Sequence, residues 1–432
     1  MEIRLPYGQG ILRGELADGR VAAVARNRLE EYDPGKSGEE LIREAMEHPI
    51  GSARLEELAR GKERVVVIAS DHTRPVPSRL IIPPMLEAIR RGNPKARITI
   101  LIATGCHRGT TRAELEEKFG REIVEREEIL VHDCADEENL VTLGTLPSGG
   151  TLRINRLAAE ADLLVSEGFI EPHFFAGFSG GRKSVLPGVA ARETVYWNHN
   201  AEFIRDPKSR AGILEGNPIH RDMIYAARKA GLAFICNVVI NGDHRVLGAF
   251  AGDCDAAHLA GAKFLEGLCR AELPRADIVI TTNNGHPLDQ NIYQAVKGMS
   301  TAETVCREGG VIIMAAACGD GHGGEAFART FREGGPAGEI LERIEAVPAS
   351  RTEADQWQSQ IFARVLKKCR VVLISRADPE LVRSLQMYPA GDLDQALAMA
   401  DSLLDREGRV TVIPQGVSTI VTPEEEAKGE NR

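Results

Sequence analysis

The sequence predicts an α/β protein made of two α/β domains with mostly parallel sheets. Three observations support this fold class. Apolar runs such as "RVVVIAS" alternate with helical segments, which is typical of a parallel sheet covered on both faces. The alternation is interrupted once, around "INGD", and then resumes. A chain of 432 residues is long enough for two or three domains.

The first half begins with a predicted hairpin in "EIRLPYGQGILRGEL" and a helix in "SGEELIREAMEHP", which has a serine near its start. Strands are then predicted in "RVVVIAS", "ARITILIATG", "EILVHD" and "ADLLVSEG". Between them, "SRLIIPPMLEAIRR" is predicted to be largely helical after its prolines, and "TRAELEEKFG" is a helix closed by glycine.

The interruption begins with "CNVVINGDHRVLGAFAGD", where Asn241-Gly242 between alternating runs predicts a hairpin. The segment "DAAHLAGAKFLEGLCRAEL" is then a predicted helix. We expect an N-terminal α/β domain over 1–270 and a C-terminal α/β domain with a polar tail over 271–432. Strands of the second domain are predicted in "ADIVITTNNG", "GGVIIMAAACGDG", "CRVVLISRADPE" and "GRVTVIPQG".

Composition argues against several classes of protein. The net charge is −10, from 63 acidic and 53 basic residues, whereas a general nucleic-acid binder shows a basic face. The N-terminus has no basic segment followed by an apolar one, and no apolar run reaches the length of about 18 residues that crosses a bilayer. The eight cysteines include no CxxC pair, which favours reduced thiols. We expect a cytoplasmic protein that binds neither nucleic acid nor a membrane.

Polar loops follow four of the predicted strands. Three of them, "SDHTRPVPS", "TGCHRGTTR" and "EGFIEPHFFAGFSGGRKS", belong to the first domain, and "NNGHPLDQNIYQAVKG" belongs to the second. Loops at the carboxyl ends of strands carry function in open α/β sheets, and clefts between domains are favoured ligand sites. The sequence therefore predicts an interdomain active-site cleft. Its candidate residues are Asp71, Arg74, His107, Arg108, His173 and Lys183 on one side and Tyr293, Gln294 and Lys297 on the other.

The glycine-rich stretch "GFSGGRKS" resembles a phosphate loop without matching it. The pattern GxxxxGK[ST], counted from Gly177, requires glycine where Arg182 stands, although Lys183 and Ser184 fit. A phosphate-loop kinase is therefore disfavoured. The backbone amides of Gly180 and Gly181 remain able to hold one phosphate, and the lysine is a candidate covalent anchor.

Each candidate also has a purely structural interpretation. Asp71 and Arg74 are compatible with a turn and a salt bridge, and a lone histidine is more often a satisfied structural group than a functional one. Lys297 is compatible with a last-turn lysine that faces the dipole of its own helix. No HExxH pattern and no paired CxxC pattern occurs, so residue spacing alone predicts no hydrolytic or structural zinc site.

Five separated motifs together resemble the nickel-dependent lactate racemase family, in order and over essentially the whole chain. They are "SDHTRPVPS", "GCHRG", "EPHFFAGFSGGRKSVLPG", "WNHN" and "PLDQNIYQAVKG". The resemblance implies a two-domain α/β protein whose N-terminal domain binds a nickel-pincer nucleotide. This cofactor is a nickel-bearing pyridinium-3,5-bisthiocarboxylic acid mononucleotide, and proteins that make it would be partners for loading.

The resemblance also implies roles for individual residues. His107 and His173 match the acid/base pair, His199 matches the fourth nickel ligand, and Lys183 matches the lysine that joins the cofactor through a thioamide. The other matching positions are Asp71, Arg74, Gly177, Ser179, Gly180 and Gly181 at the cofactor and Tyr293, Gln294, Lys297 and Trp357 at the substrate.

The implied function is a racemase or epimerase of a 2-hydroxy acid, lactate or a related acid, acting by reversible hydride transfer to the cofactor. Removal of the hydride gives a planar keto acid, and its return to either face scrambles the centre. Each enantiomer presents its hydroxyl on a different side, so two bases are needed, and histidine titrates near working pH. Lys297 would hold the carboxylate, and square-planar nickel suits soft sulfur donors with one imidazole.

Several alternatives stay open at the level of sequence. One is a non-catalytic protein that binds or senses a small acid on the same fold. Among substrates, a dicarboxylate such as malate would need a further cation, for which Arg108 and Arg182 are candidates. His286 departs from the family pattern as an unexpected residue beside the cleft. The sequence does not decide the substrate, the covalent attachment at Lys183 or the oligomeric state.

Overall fold

The computed structural model describes residues 1–424, so residues 425–432 of the predicted polar tail lie outside the described part. The strands are β1 Glu2–Tyr7, β2 Gly10–Glu15, β3 Val21–Val24, β4 Arg64–Ser70, β5 Arg97–Ala103, β6 Glu128–Val131, β7 Leu140–Thr145, β8 Thr151–Asn155, β9 Leu163–Phe169, β10 Pro172–His173, β11 Gly177–Phe178, β12 Leu232–Ile240, β13 Val246–Gly252, β14 Arg270–Leu273, β15 Ala276–Thr282, β16 Cys306–Ala315, β17 Arg370–Ile374, β18 Tyr388–Ala390, β19 Val410–Ile413 and β20 Ile420–Pro423.

Helices connect most of these strands. The α-helices are α1 Gly38–Glu47, α2 Leu55–Leu58, α3 Ser78–Gly92, α4 Arg112–Phe119, α5 Arg121–Arg126, α6 Arg156–Ala159, α7 Arg192–Asn198, α8 Ala201–Arg205, α9 Pro218–Lys229, α10 Ala256–Cys269, α11 Ile292–Glu303, α12 Glu325–Glu333, α13 Ala337–Glu345, α14 Gln356–Lys368, α15 Pro379–Ser384 and α16 Leu393–Leu404. Short 3-10 helices occupy Asp18–Arg20, Glu137–Asn139, Gly181–Ser184 and Ala349–Arg351.

The first large sheet has the strand order β13-β12-β9-β4-β5-β6. Its strands run parallel except β13, which pairs antiparallel with β12 as the predicted Asn241-Gly242 hairpin. β4 and β9 are buried almost throughout because both faces of the sheet are covered. One face packs on α1 and α3, and the other contributes to the largest apolar core.

The second large sheet has the order β18-β17-β16-β15-β19-β3, and all of its pairs are parallel. Two sheets of this kind confirm the predicted fold class. The edge strand β3 comes from the start of the chain and pairs with β19, for example Val412 with Val24. The apolar residues of the predicted hairpin β1–β2, such as Leu5, also pack on this sheet.

The division of the chain at residue 270 stays a prediction, and the structure adds one detail to it. Residues 1–24 pack with the second sheet, although the predicted N-terminal domain includes them. A sequence pattern could not show this, because the pairing partner of β3 lies almost 400 residues away along the chain.

Two predicted helices differ in extent from the observed ones. The helix predicted through "CRAEL" ends at Cys269, because Arg270–Leu273 forms a parallel pair with Ile420–Pro423. α3 begins at Ser78 and contains Pro83 and Pro84 in its interior. Its apolar face, which includes Ile81 and Ile82, is fully buried, and this packing offsets the backbone hydrogen bonds that the prolines cannot make. No helix within residues 1–424 has the length and apolar character needed to cross a membrane.

Candidate active site

The loops after β4 and β5 bring Asp71 and His107 together, as adjacent parallel strands should. The imidazole Nδ1 of His107 lies 2.7 Å from Oδ2 of Asp71. Burial raises the pKa of Asp71, but the hydrogen bonds from His107 and Thr73 outweigh it, so the net shift is downward. The ionised carboxylate only accepts hydrogen bonds, so Nδ1 of His107 carries a proton and donates it. A neutral His107 therefore keeps a free lone pair on Nε2.

His173 lies in the small hairpin formed by β10 and β11, just after β9. Its Nδ1 accepts a hydrogen bond from the amide of Ala176 at 3.3 Å, so the neutral ring carries its proton on Nε2. Burial, followed by the charges of Lys183 and Lys297, lowers the pKa of His173 well below its usual value. The two predicted acid/base histidines therefore differ in which nitrogen is protonated.

Lys183 lies in the short 3-10 helix after the glycine turn, and its ammonium is 5.8 Å from the centre of the Phe175 ring. Burial lowers its pKa well below the usual value, and the neighbouring charges of Arg182 and Arg74 act in the same direction. The low pKa increases the fraction of uncharged amine. An uncharged lysine amine is the form that makes covalent bonds, which suits the predicted anchor.

His199 follows the last residue of α7 and is 95% buried. Burial, followed by the charge of Lys183, lowers its pKa to about 3, so the imidazole is neutral. Its Nδ1 is buried without a hydrogen-bond partner. The rings of Phe175 and Trp357 lie edge-on to it with centroids 5.1 Å away, so the imidazole is fixed by packing.

Residues from the second half of the chain face this group. The contact between His199 and Trp357 crosses from one half to the other, as does the bond from Gln360 Nε2 to the carbonyl of Ala201 at 2.8 Å. Lys297 on α11 is near enough to His173 to lower its pKa. Burial and then Arg74 lower the pKa of Lys297 itself to about 8.

Two other predicted substrate residues occupy the first turn of α11. The hydroxyl of Tyr293 donates to Oδ1 of Asp355 at 2.6 Å, and burial followed by the charge of Asp355 raises the pKa of this tyrosine strongly. Gln294 is half-buried. Asn291 caps the helix through the amide of Gln294 and leaves the amide side chain of that glutamine available.

The glycine turn has a packing role that the sequence did not indicate. Gly177, Gly180 and Gly181 all have positive φ, and a Cβ on Gly180 would come within 2.8 Å of the carbonyl of Phe169. The amide of Gly181 donates to Asn237, and the hydroxyl of Ser179 donates to the Phe169 carbonyl. The amide of Gly181, one of the two amides expected to hold a phosphate, is thus already used within the protein, and the cofactor role of this turn stays a prediction.

Arg182, considered above as a cation for a second carboxylate, is fully buried. Its guanidinium donates to the carbonyls of Ala176, Ser179 and Gly180 and to the imidazoles of His220 and His258 at 2.7–3.4 Å. All of these partners are protein groups. Arg182 therefore organises the loop between His173 and Lys183 and is not available to a substrate.

The two remaining sequence candidates lie at the surface. Arg108 is exposed and pairs with Glu114 at 2.5 Å, so its charge is already compensated. His286 is also exposed, and only its backbone amide is anchored, to the carbonyl of Gly8 at 2.8 Å.

Sequence reasoning missed Glu171 and underestimated Phe175. Glu171 is a carboxylate among three cations, Arg74, Lys297 and Lys183, and burial raises its pKa. The Phe175 ring contacts His173 at 4.5 Å and His199 at 5.1 Å between centroids, and it lies under Lys183. A single glutamate six residues before Gly177 formed no distinctive pattern, whereas the aromatic pair beside His173 was a visible signal.

The fold and the cleft together define a class of protein. Two parallel-sheet units face each other across a site with neutral buried imidazoles, a low-pKa lysine and a carboxylate-paired histidine, which is the arrangement of an α/β enzyme. Within residues 1–424, no group of three or more His, Cys, Asp or Glu side chains is arranged to hold a metal ion.

Family models assign the particular group of enzymes. The lactate racemase N-terminal domain matches residues 7–212, and the lactate racemase C-terminal domain matches residues 271–421. The chain belongs to the lactate racemase family and is an isomerase of the racemase type.

Individual relatives agree over nearly the full length. The chain is 51% identical to the lactate racemase of Thermoanaerobacterium thermosaccharolyticum and 49% identical to that of Lactiplantibacillus plantarum, with 97% of this chain and 99% of each relative covered. The apoprotein structure of the first superposes with a TM-score of 0.95 over 98% of this chain and all of that one. A Thermotoga maritima protein shares only the fold, with a TM-score of 0.61 and 20% identity over 89% of this chain and 98% of that one.

Replacement of Arg182 by leucine should destabilise the protein by about 3–5 kcal/mol, because three carbonyls and two imidazoles lose a buried charged donor. Urea denaturation followed by tryptophan fluorescence measures this loss. Arg108→Leu is the matched control, since its exposed ion pair contributes little. Equal denaturation midpoints for the two variants would contradict the organising role of Arg182.

Proposed function

We propose that this chain interconverts the enantiomers of lactate, with His107 and His173 as the acid/base pair. Two full-length relatives carry the name lactate racemase. The observation that carries the proposal is that the two histidines hold their protons on different ring nitrogens. Asp71 orients the ring of His107 with Nε2 free, whereas the ring of His173 has its proton on Nε2.

A hydroxy acid requires such an arrangement because its hydroxyl loses a proton when the Cα–H bond is broken. His107 takes that proton on Nε2, and the carboxylate of Asp71 stabilises the imidazolium that forms. For the opposite enantiomer the hydroxyl lies on the side of His173. To accept a proton there, His173 must first move its own proton from Nε2 to Nδ1, which breaks the bond from Ala176. The two directions of reaction therefore place different demands on the two rings.

Lys297 and Arg74 are the groups proposed to bind the substrate carboxylate. Both lie close enough to Glu171 and His173 to alter their pKa values, so they concentrate positive charge at one place in the cleft. Burial makes this attraction stronger than it would be in water. Phe175 and Trp357 supply apolar walls that exclude water and suit a substrate as small as lactate.

The residues present fit the proposed nickel-pincer nucleotide. His199 offers a buried neutral imidazole with an unpartnered nitrogen, and Lys183 offers a desolvated amine with a lowered pKa. When bound, the cofactor would supply a reversible hydride acceptor. His199 would hold the nickel, Lys183 would attach the nucleotide, and proteins that synthesise the cofactor would be required for loading.

The proposal is tested by a racemisation screen. Protein produced with nickel and the cofactor-making enzymes is incubated with single enantiomers of lactate, malate, 2-hydroxyglutarate and phenyllactate. Chiral chromatography should show the opposite enantiomer of lactate at the highest rate. No product from any acid, with cofactor loading shown by the mass of the Lys183 peptide, would instead favour a binding or sensing protein.

Replacement of either catalytic histidine by glutamine should lower the racemisation rate by about a hundredfold or more, because a positioned base is lost. The intact mass of the protein should still show the cofactor. His48→Gln is the control, since His48 is exposed at the end of α1. Retention of the wild-type rate by His107→Gln or by His173→Gln would refute the assignment.

The value of kcat/KM should fall as the pH rises through about 8, the pKa to which burial lowers Lys297. Deprotonation above that pH removes the charge that holds the carboxylate, so KM should rise more than kcat falls. Lys297→Arg should abolish this dependence, because arginine stays charged. A wild-type profile that is flat between pH 7 and pH 9 would contradict the role of Lys297.

A further inference from the structure

Two cysteines lie side by side where β5 and β6 end. The strands pair in parallel, with Ile102 opposite Val131. Just beyond them, the hydroxyl of Thr104 donates to the carbonyl of His132 at 2.6 Å and ties the two loops together. Cys106 lies two residues after Thr104, and Cys134 lies two residues after His132. The two thiols are close enough for each to shift the pKa of the other.

Solvent reaches this pair from two directions. Cys106 is exposed at the surface. Cys134 is 94% buried but lines an open cavity of about 350 Å³, whose other walls include Arg192 and Tyr196. A small oxidant such as hydrogen peroxide can enter a cavity of that size and meet the sulfur of Cys134.

The surroundings activate Cys134 rather than Cys106. The neighbouring thiol of Cys106, with a further contribution from Arg192, lowers the pKa of Cys134, whereas Cys134 raises the pKa of Cys106. Cys134 is therefore the thiol of the pair that ionises more readily, and the thiolate is the form that reacts with peroxide.

We propose that Cys106 and Cys134 form a peroxide-sensitive dithiol that closes to an intramolecular disulfide beside the catalytic loop. The Cys134 thiolate attacks one oxygen of hydrogen peroxide, the O–O bond breaks, and with one proton the products are a sulfenic acid and water. The thiol of Cys106 then attacks the sulfenic sulfur, and a second water leaves as the S–S bond forms. The two cysteines are oxidised by two electrons, and the peroxide is reduced to two waters.

The position of Cys106 links this chemistry to the active site, because the next residue is His107. The turn between them is tight, with Gly105 at φ +55° and the amide of His107 bonded to the carbonyl of Thr104. A disulfide fixes the separation and direction of the two Cβ atoms, so closure pulls on this turn. Displacement of His107 from Asp71 by about 1 Å is enough to lower a rate up to a hundredfold.

A second cysteine pair in the same chain serves as an internal comparison. Cys306 and Cys369 also lie together, since Cys369 raises the pKa of Cys306, but both are almost completely buried. Without access, these thiols should stay reduced under mild peroxide.

To test this, the full-length, cofactor-loaded protein is treated with a small excess of hydrogen peroxide. Its free thiols are then blocked, and the protein is digested with trypsin. Mass spectrometry should find residues 98–108 linked to residues 127–153, two hydrogens lighter than the separate peptides. The racemisation rate should fall about tenfold or more and return when a dithiol reductant is added. Recovery by reductant separates this effect from irreversible damage to the cofactor.

Two variants make the test specific. Cys106→Ser cannot form the link, so it should keep its racemisation rate after mild peroxide. Cys369→Ser should lose and recover its rate as the wild type does. The absence of the linked peptide from oxidised wild-type protein would overturn the proposal, whatever the variants do. Reductant-reversible inactivation of Cys106→Ser as complete as that of wild type would also overturn it.

Discussion

The buried guanidinium of Arg182 is the interaction on which the site depends. No ion pair within residues 1–424 includes it, so burial of its charge is balanced by carbonyls and imidazoles instead of a carboxylate. Three of those carbonyls belong to the turn between His173 and Lys183. The same group therefore fixes the shape of the turn and places a positive charge beside Lys183, which helps to keep that amine neutral.

Desolvation dominates the chemistry of the cleft. Burial is the largest influence on the pKa values of His173, Lys183, His199 and Lys297, and each is lowered. Groups that would carry charge in water are thus biased toward neutral forms that can exchange protons or form bonds. The pKa of Glu171 shifts upward for the same reason, because burial disfavours its charged carboxylate, and the neighbouring cations Arg74, Lys297 and Lys183 offset only part of that shift.

The sequence was sufficient for the fold class and for the loops of the candidate site, since both follow from local patterns. Apolar runs such as β4 and β9 and the Asn241-Gly242 turn specify strands and a hairpin through their own composition. It could not show that Arg182 is sequestered, because burial depends on His220 and His258, which are distant in the chain. For the same reason the interpretation of the glycines as a ligand cradle missed their packing role.

The short strand β3 has a consequence for any attempt to divide the protein. It covers the outer side of β19 with residues 21–24, so the polypeptide enters the second sheet, leaves to build the first and then returns. A fragment beginning at residue 271 would lack β3 and leave the amides and carbonyls of β19 open as a sheet edge, which promotes aggregation. Separately expressed halves would therefore need the first two dozen residues transferred to the second piece, as in a circular permutant.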